Sequence, residues 1–172
     1  MLRTAMTNAA HNGARAILVL GVGNIMRRDD GVGVRAVRAL AASAAAPPGV
    51  RLLEGGVAGL RLLGELQRYA DVLIIDAVAG ASPPGTIYRL TPDELPADRG
   101  PFSAHDVSVR ELVSAAACLG AAPRVRILGV QPLDVSIGEE LTPPLRAALP
   151  HVVDAAIEEL RNMMTEAVRA HV

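Results

Sequence analysis

Four side chains in this sequence are spaced to do chemistry together. Asp29 and Asp30 are adjacent and follow Gly21-Val22-Gly23-Asn24, Asp76 closes the apolar run Val72-Leu73-Ile74-Ile75, and His105 stands just ahead of a helical pattern. Two carboxylates and an imidazole form a mixed oxygen and nitrogen donor set, suited to a borderline transition metal with coordination positions left open. Each residue also has a plainer use. Asp29 or Asp30 can cap a helix, Asp76 can form a turn, and His105 can be structural or merely exposed. Gly21-x-Gly23 suggests a dinucleotide turn, but Met26 occupies the place of the third glycine, and Glu54 comes later than the acidic residue of that fingerprint. The hydrolase signatures His-Glu-x-x-His and Gly-x-Ser-x-Gly are absent. Cys118, between Ala117 and Leu119, reads as a helix packing position, His151 as surface, and Met163-Met164 as core and helix end.

These residues must be positioned by the elements between them. Ala16-Ile17-Leu18-Val19-Leu20 is continuously apolar, as a strand buried on both faces is. Val34, Val37, Leu40 and Ala44 then recur at helical spacing until Pro47-Pro48-Gly49 stops the helix. The pattern repeats with a short strand at Arg51-Leu52-Leu53, a loop from Gly55 to Gly59 and a helix over Leu60 to Tyr69. Asp71 to Asp76 is the strongest strand. Thr86 to Leu90 alternates and suggests an edge strand, antiparallel to its predecessor because no helix separates them. His105 and Asp106 open a helix through Val109, Leu112, Val113 and Ala116, and Val125 to Val130 is the last strand. Thr142 caps and Pro143 starts a final helix, with Leu149, Val153, Ile157, Leu160 and Met164 on its apolar face and a kink or break at Pro150. Strands alternating with helices predict a three-layer α/β/α fold, with about five strands in a mostly parallel twisted sheet and one strand antiparallel. In such a sheet the loops at the carboxyl ends of the strands form the binding crevice, and those loops carry Asp29-Asp30, Asp76 and His105.

Composition narrows the function classes. The 172 residues, 51% hydrophobic and 20% charged, suit a single globular domain rather than a disordered chain. We read residues 1–14 as a flexible N-terminal tail and 15–172 as the domain. The 17 basic residues, all Arg, nearly balance 18 acidic ones, so no bulk charge draws the chain to nucleic acid or an anionic membrane. Tyr69, Tyr88 and Phe102 are the only aromatics, too few for a base-stacking platform. One cysteine allows no internal disulfide, in keeping with a reducing cytoplasm, and the apolar runs are too short to span a bilayer.

Taken in order, the motifs resemble the [NiFe]-hydrogenase maturation endopeptidases. The resemblance is carried by Ile17-Leu18-Val19-Leu20-Gly21-Val22-Gly23-Asn24-Ile25 with Asp29-Asp30-Gly31-Val32-Gly33-Val34-Arg35. It continues through Glu54-Gly55-Gly56-x-x-Gly59, Ile74-Ile75-Asp76-Ala77, Pro84-Gly85-Thr86, Ser103-x-His105 and Gly129-Val130-Gln131-Pro132, from about residue 15 to 160. The resemblance implies a metal-dependent endopeptidase that removes a C-terminal extension from a nickel-loaded hydrogenase large subunit. By motif position it assigns the metal ligands, and catalysis through the metal, to Asp30, Asp76 and His105, with Asp29 competing for the first role. The implied metal is Ni2+ supplied by the precursor large subunit, with another divalent ion able to substitute. The implied partner is that subunit, with no nucleic acid or membrane, and the enzyme is expected to be a cytoplasmic monomer. Val57, where Thr is frequent, and the Arg27-Arg28 pair depart from the common pattern and bear on subunit preference. Two other classes stay open: a non-catalytic nickel-checking assembly factor, which would not shorten the large subunit, and a Rossmann-type nucleotide binder, which NAD or ATP would stabilise against heat.

The tail reading makes a direct prediction. Deleting residues 1–14 should leave the melting temperature within a few degrees, because an unpatterned terminus contributes little to a core. A large drop on calorimetry would mean that this segment docks.

Overall fold

Ile17-Leu18-Val19-Leu20 is apolar at every position because β1 (Ile17–Val22) lies inside a sheet covered on both faces. The structure is a computed structural model and describes residues 17–95 and 109–169. After β1 come a 3-10 turn (Arg28–Gly31), α1 (Val32–Ser43), β2 (Val50–Gly56), α2 (Leu63–Leu66) and β3 (Asp71–Ala77). β4 (Ile87–Leu90), α3 (Val109–Cys118), β5 (Arg124–Val130) and α4 (Pro143–Arg169) complete the order. The five strands run β2-β1-β3-β5-β4, parallel except for β4. This is the mixed α/β sheet that the sequence predicts. The tail reading, residues 1–14, lies outside the described residues.

Alternation along the strands divides the core in two. Ile17, Val19, Leu73, Ile75, Leu128 and Val130 meet the inner faces of α1 and α4. Leu18, Leu20, Val72, Ile74 and Ile127 turn the other way, onto α2 and α3 through Leu66, Leu112 and Ala116. Complete burial of such side chains contributes about 1.5–3 kcal/mol each, which makes these strands the stable centre of the molecule.

Several local expectations are corrected. β4 is antiparallel, but it pairs with β5 rather than with β3. β5 buries Val125 and every residue from 127 to 130 and takes the inner place, whereas β4 exposes Arg89 and suits the edge. β2 runs on through Glu54, Gly55 and Gly56, because a register shift beside Gly21 and Val22 lets pairing with β1 continue. The helix expected over Leu60 to Tyr69 shrinks to a 3-10 turn (Gly59–Leu62) and one turn of α2. Pro150 does not break α4, since burial of Leu145, Val152, Ala155, Ala156, Leu160 and Met163 outweighs one lost helix bond. That buried stripe is rotated from the expected one, and Leu149, Val153, Ile157 and Met164 pack at its margin. Cys118 is exposed at the end of α3, two positions past the buried Ala116. Among the described residues, no helix is long and apolar enough to cross a membrane.

The start of α1 is pressed onto the carboxyl ends of β1 and β3. A Cβ on Gly33 would stand 2.1 Å from the Ile75 carbonyl oxygen and 2.5 Å from that of Val22. Gly23 adopts φ +115, and a Cβ there would meet the Asp30 carbonyl oxygen at 1.8 Å. At Gly21 and Gly23, the pair that suggests a nucleotide turn, the space is filled by the chain's own backbone at Gly33 and Asp30. Gly33→Ala should cost about 1–3 kcal/mol or more through overpacking. Gly64→Ala, with nothing within 4 Å of its Cβ, should be neutral or stabilising. Denaturant midpoints compare the two, and equal stability of both variants would refute the close approach.

Candidate active site

The loop leaving β1 folds back on itself through short polar bonds. The Asn24 side-chain oxygen accepts the Met26 N–H at 2.9 Å, and the Asn24 carbonyl accepts that of Arg27 at 3.0 Å. This brings the 3-10 turn Arg28–Gly31 against the end of β3, which closes with Asp76 and Ala77. Asp30, 7% exposed, accepts the Asn24 N–H on Oδ2 at 2.9 Å. Asp76 is half-buried, and its Oδ1 accepts the N–H of Ala77 at 2.8 Å. Asp30 and Asp76 thus share the carboxyl edge of two neighbouring parallel strands. Neither Asp29 nor Asp30 caps a helix through its side chain, since α1 starts from Gly31 without a side-chain cap. His105 lies outside the described residues, as do Ser103 and the predicted helix start at Asp106. Among the described residues, no three His, Cys, Asp or Glu side chains gather into a metal-holding group.

The two adjacent aspartates do different work. Asp29 is fully buried and accepts four hydrogen bonds from the segment that follows β5. Its Oδ2 takes the N–H groups of Leu133 (2.9 Å) and Asp134 (3.0 Å) and the Thr142 hydroxyl (2.8 Å), while Oδ1 takes the Thr142 N–H (2.8 Å). A metal at Asp29 would have to displace these donors, so the geometry favours Asp30 as the candidate ligand. Thr142 was expected to cap α4; its hydroxyl goes instead to Asp29.

Arg27 and Arg28 strengthen the same attachment. The Arg27 Nε–H donates to the Val135 carbonyl at 3.0 Å, and the Arg28 N–H donates to that of Gly138 at 2.7 Å. The Gly138 N–H returns a bond to the Met26 carbonyl at 2.9 Å. Arg28 accepts a left-handed φ of 38 to make this bridge and forms an ion pair with Asp134 at 3.2 Å. The Ser136 N–H, at 2.8 Å, holds the Asp134 carboxyl below its ordinary range, and Arg28 adds to the effect. Sequence reasoning missed Thr142 and Asp134 as Asp29-loop partners. Only the separation of more than 100 residues, closed in space, reveals them.

A twisted, mixed five-stranded sheet with loop carboxylates at its carboxyl edge defines a class of small α/β proteins that work at that edge. A family model described as HycI, hydrogenase maturation protease, matches residues 34–159, and the chain belongs to this family. It is 34% identical over 155 residues to the hydrogenase 2 maturation protease of Escherichia coli, covering 88% of this chain and 94% of that protein. It is 37% identical over 153 residues to the hydrogenase expression/formation protein HupD of Rhizobium leguminosarum bv. viciae, covering 87% of this chain and 76% of that protein. Among solved structures, the E. coli hydrogenase maturating endopeptidase HybD superposes with a TM-score of 0.73 at 31% identity, covering 86% of this chain and 93% of that one.

The division of labour between the aspartates is measurable. Asp29→Asn sets an amide against donors and should cost about 3 kcal/mol or more, since unmet buried groups cost about 1–3 kcal/mol each. Asp30→Asn keeps an acceptor for Asn24 and should cost less than about 1.5 kcal/mol. Equal losses on urea unfolding would contradict the assignment.

Proposed function

We propose that this chain is the endopeptidase that removes the C-terminal extension of a nickel-loaded [NiFe]-hydrogenase large subunit, with Asp30, Asp76 and His105 meeting the metal. The observation that carries this reading is the packing of the Asp30 turn onto the end of β3 beside Asp76. Support also comes from the family and from the similarity to the hydrogenase 2 maturation protease of E. coli. Nickel enters as part of the substrate. A metal of this kind polarises a peptide carbonyl or acidifies a bound water. Asp30 and Asp76 supply hard oxygen donors, and His105 adds a borderline nitrogen donor. No thiolate joins this set, so the free protease should bind nickel only modestly, and the precursor's metal should complete the site.

The test compares nickel-loaded and nickel-free precursor large subunit, with casein as a bystander, and follows the size shift on a gel. Only the nickel-loaded precursor should shorten. His105→Ala and Asp76→Ala should each slow that cleavage about a hundredfold or more, since ligand loss removes several kcal/mol of charge stabilisation. Both variants should keep the wild-type melting temperature within a few degrees. Cleavage of both precursors alike, or digestion of casein, would overturn metal gating. A large subunit that binds but keeps its length would point to a non-catalytic checking factor.

A further inference from the structure

The chain leaving Asp76 is fastened mainly by Gln131, the residue that follows β5. Gln131 is 9% exposed, and its Oε1 accepts the Gly80 N–H at 2.6 Å and the Tyr88 hydroxyl at 2.8 Å. The Tyr88 oxygen in turn accepts the Ser82 N–H at 3.3 Å. The Gln131 N–H donates to the Thr86 carbonyl at 2.9 Å, and the Gln131 carbonyl accepts the Gly85 N–H at 2.9 Å. Just before it, the Val130 carbonyl takes the Val78 N–H at 3.0 Å. Residues 78–86 are thus held at the start, in the middle and at the end. Space is tight at the middle point, where a Cβ on Gly80 would lie 2.5 Å from the Tyr88 hydroxyl oxygen.

This fastening bears directly on Asp76. Its Oδ1 accepts the N–H of Ala77, so the carboxylate turns with the peptide that follows it. β4–β5 pairing already places Tyr88 opposite Gly129, and β3–β5 pairing places Ala77 opposite Val130, so the strands do not need the two side-chain bonds to pair. Their added effect falls on Gly80, four residues beyond Asp76. We infer that Gln131 and Tyr88 are positioning residues, which fix the Asp76 carboxylate by anchoring the 78–86 loop. The inference rests on the proposed role of Asp76 in peptide cleavage.

The experiment pairs kinetics with amide NMR on the full chain, using Tyr88→Phe, Gln131→Leu and the double variant. Single-turnover cleavage of nickel-loaded precursor at saturating enzyme should slow about fivefold in Tyr88→Phe, the worth of one neutral hydrogen bond, and about tenfold or more in Gln131→Leu. The half-saturating enzyme concentration should stay within about twofold, because the anchor orients Asp76 rather than binding the precursor. The double variant should be no slower than Gln131→Leu, since both changes break one network. In the same samples the Ala77 and Gly80 amide resonances should shift, and Gly80 should exchange faster, while Val72 to Ile75 stay in place. An Ala77 amide unmoved in Gln131→Leu, additive losses, or a change confined to half-saturation would each overturn the inference. If the wild-type chain leaves the precursor uncut, the proposed function fails, and the Ala77 arm alone still decides whether the anchor holds Asp76.

Discussion

A buried carboxylate, Asp29, ties the turn that carries Asp30 to the segment after β5. Taking such an anion out of water costs several kcal/mol unless donors replace the solvent. Here the donors are three backbone N–H groups and the Thr142 hydroxyl, all from the segment after β5. The Asp29 N–H donates in return to the Asp134 carbonyl at 3.2 Å. Charge-assisted bonds of this kind contribute about 1.5–3 kcal/mol each, enough to offset the desolvation. The 3-10 turn that carries Asp29 also carries Asp30. The carboxylate that holds the loop and the one assigned to chemistry therefore move as a unit.

The two ends of the sheet are held by different means. At the carboxyl end, carboxylates meet backbone N–H groups and glycines allow backbone to touch backbone. At the amino end, arginines meet carboxylates. Asp71 is 1% exposed and accepts the Arg124 Nε–H at 2.7 Å, which raises the Arg124 guanidinium above its usual range. Arg126 bridges the buried Glu159 and the exposed Glu166, and Arg89 reaches Glu158 at 2.6 Å, which fastens α4 across β5 and β4. Such pairs neutralise their own carboxylates. At the carboxyl end, Asp29, Asp30 and Asp76 each accept a backbone N–H group.

Much of this was legible in the chain, for reasons that can be named. Strands buried on both faces carry continuous apolar runs, so residues 17–20 of β1, 72–75 of β3 and 127–130 of β5 stand out. The carboxyl-edge loops follow from that order, and with them the positions of Asp30 and Asp76. Boundaries were less legible where pairing overrides local preference. Glu54 to Gly56 look like loop but extend β2 because β1 offers partners, and Pro150 sits inside α4 because its neighbours are buried.

The sequence by itself determined the fold class and the family, because hydrophobic period and collinear motifs are local properties that survive without coordinates. Only the tertiary structure decided which of two adjacent aspartates is a staple, which strand β4 joins, and what Gln131 holds. Asp29 and Asp30 are chemically identical and one position apart, so no pattern along the chain distinguishes them. Their difference lies in donors more than 100 residues away. A carboxylate's role is set by the groups that reach its oxygens, and folding chooses those groups.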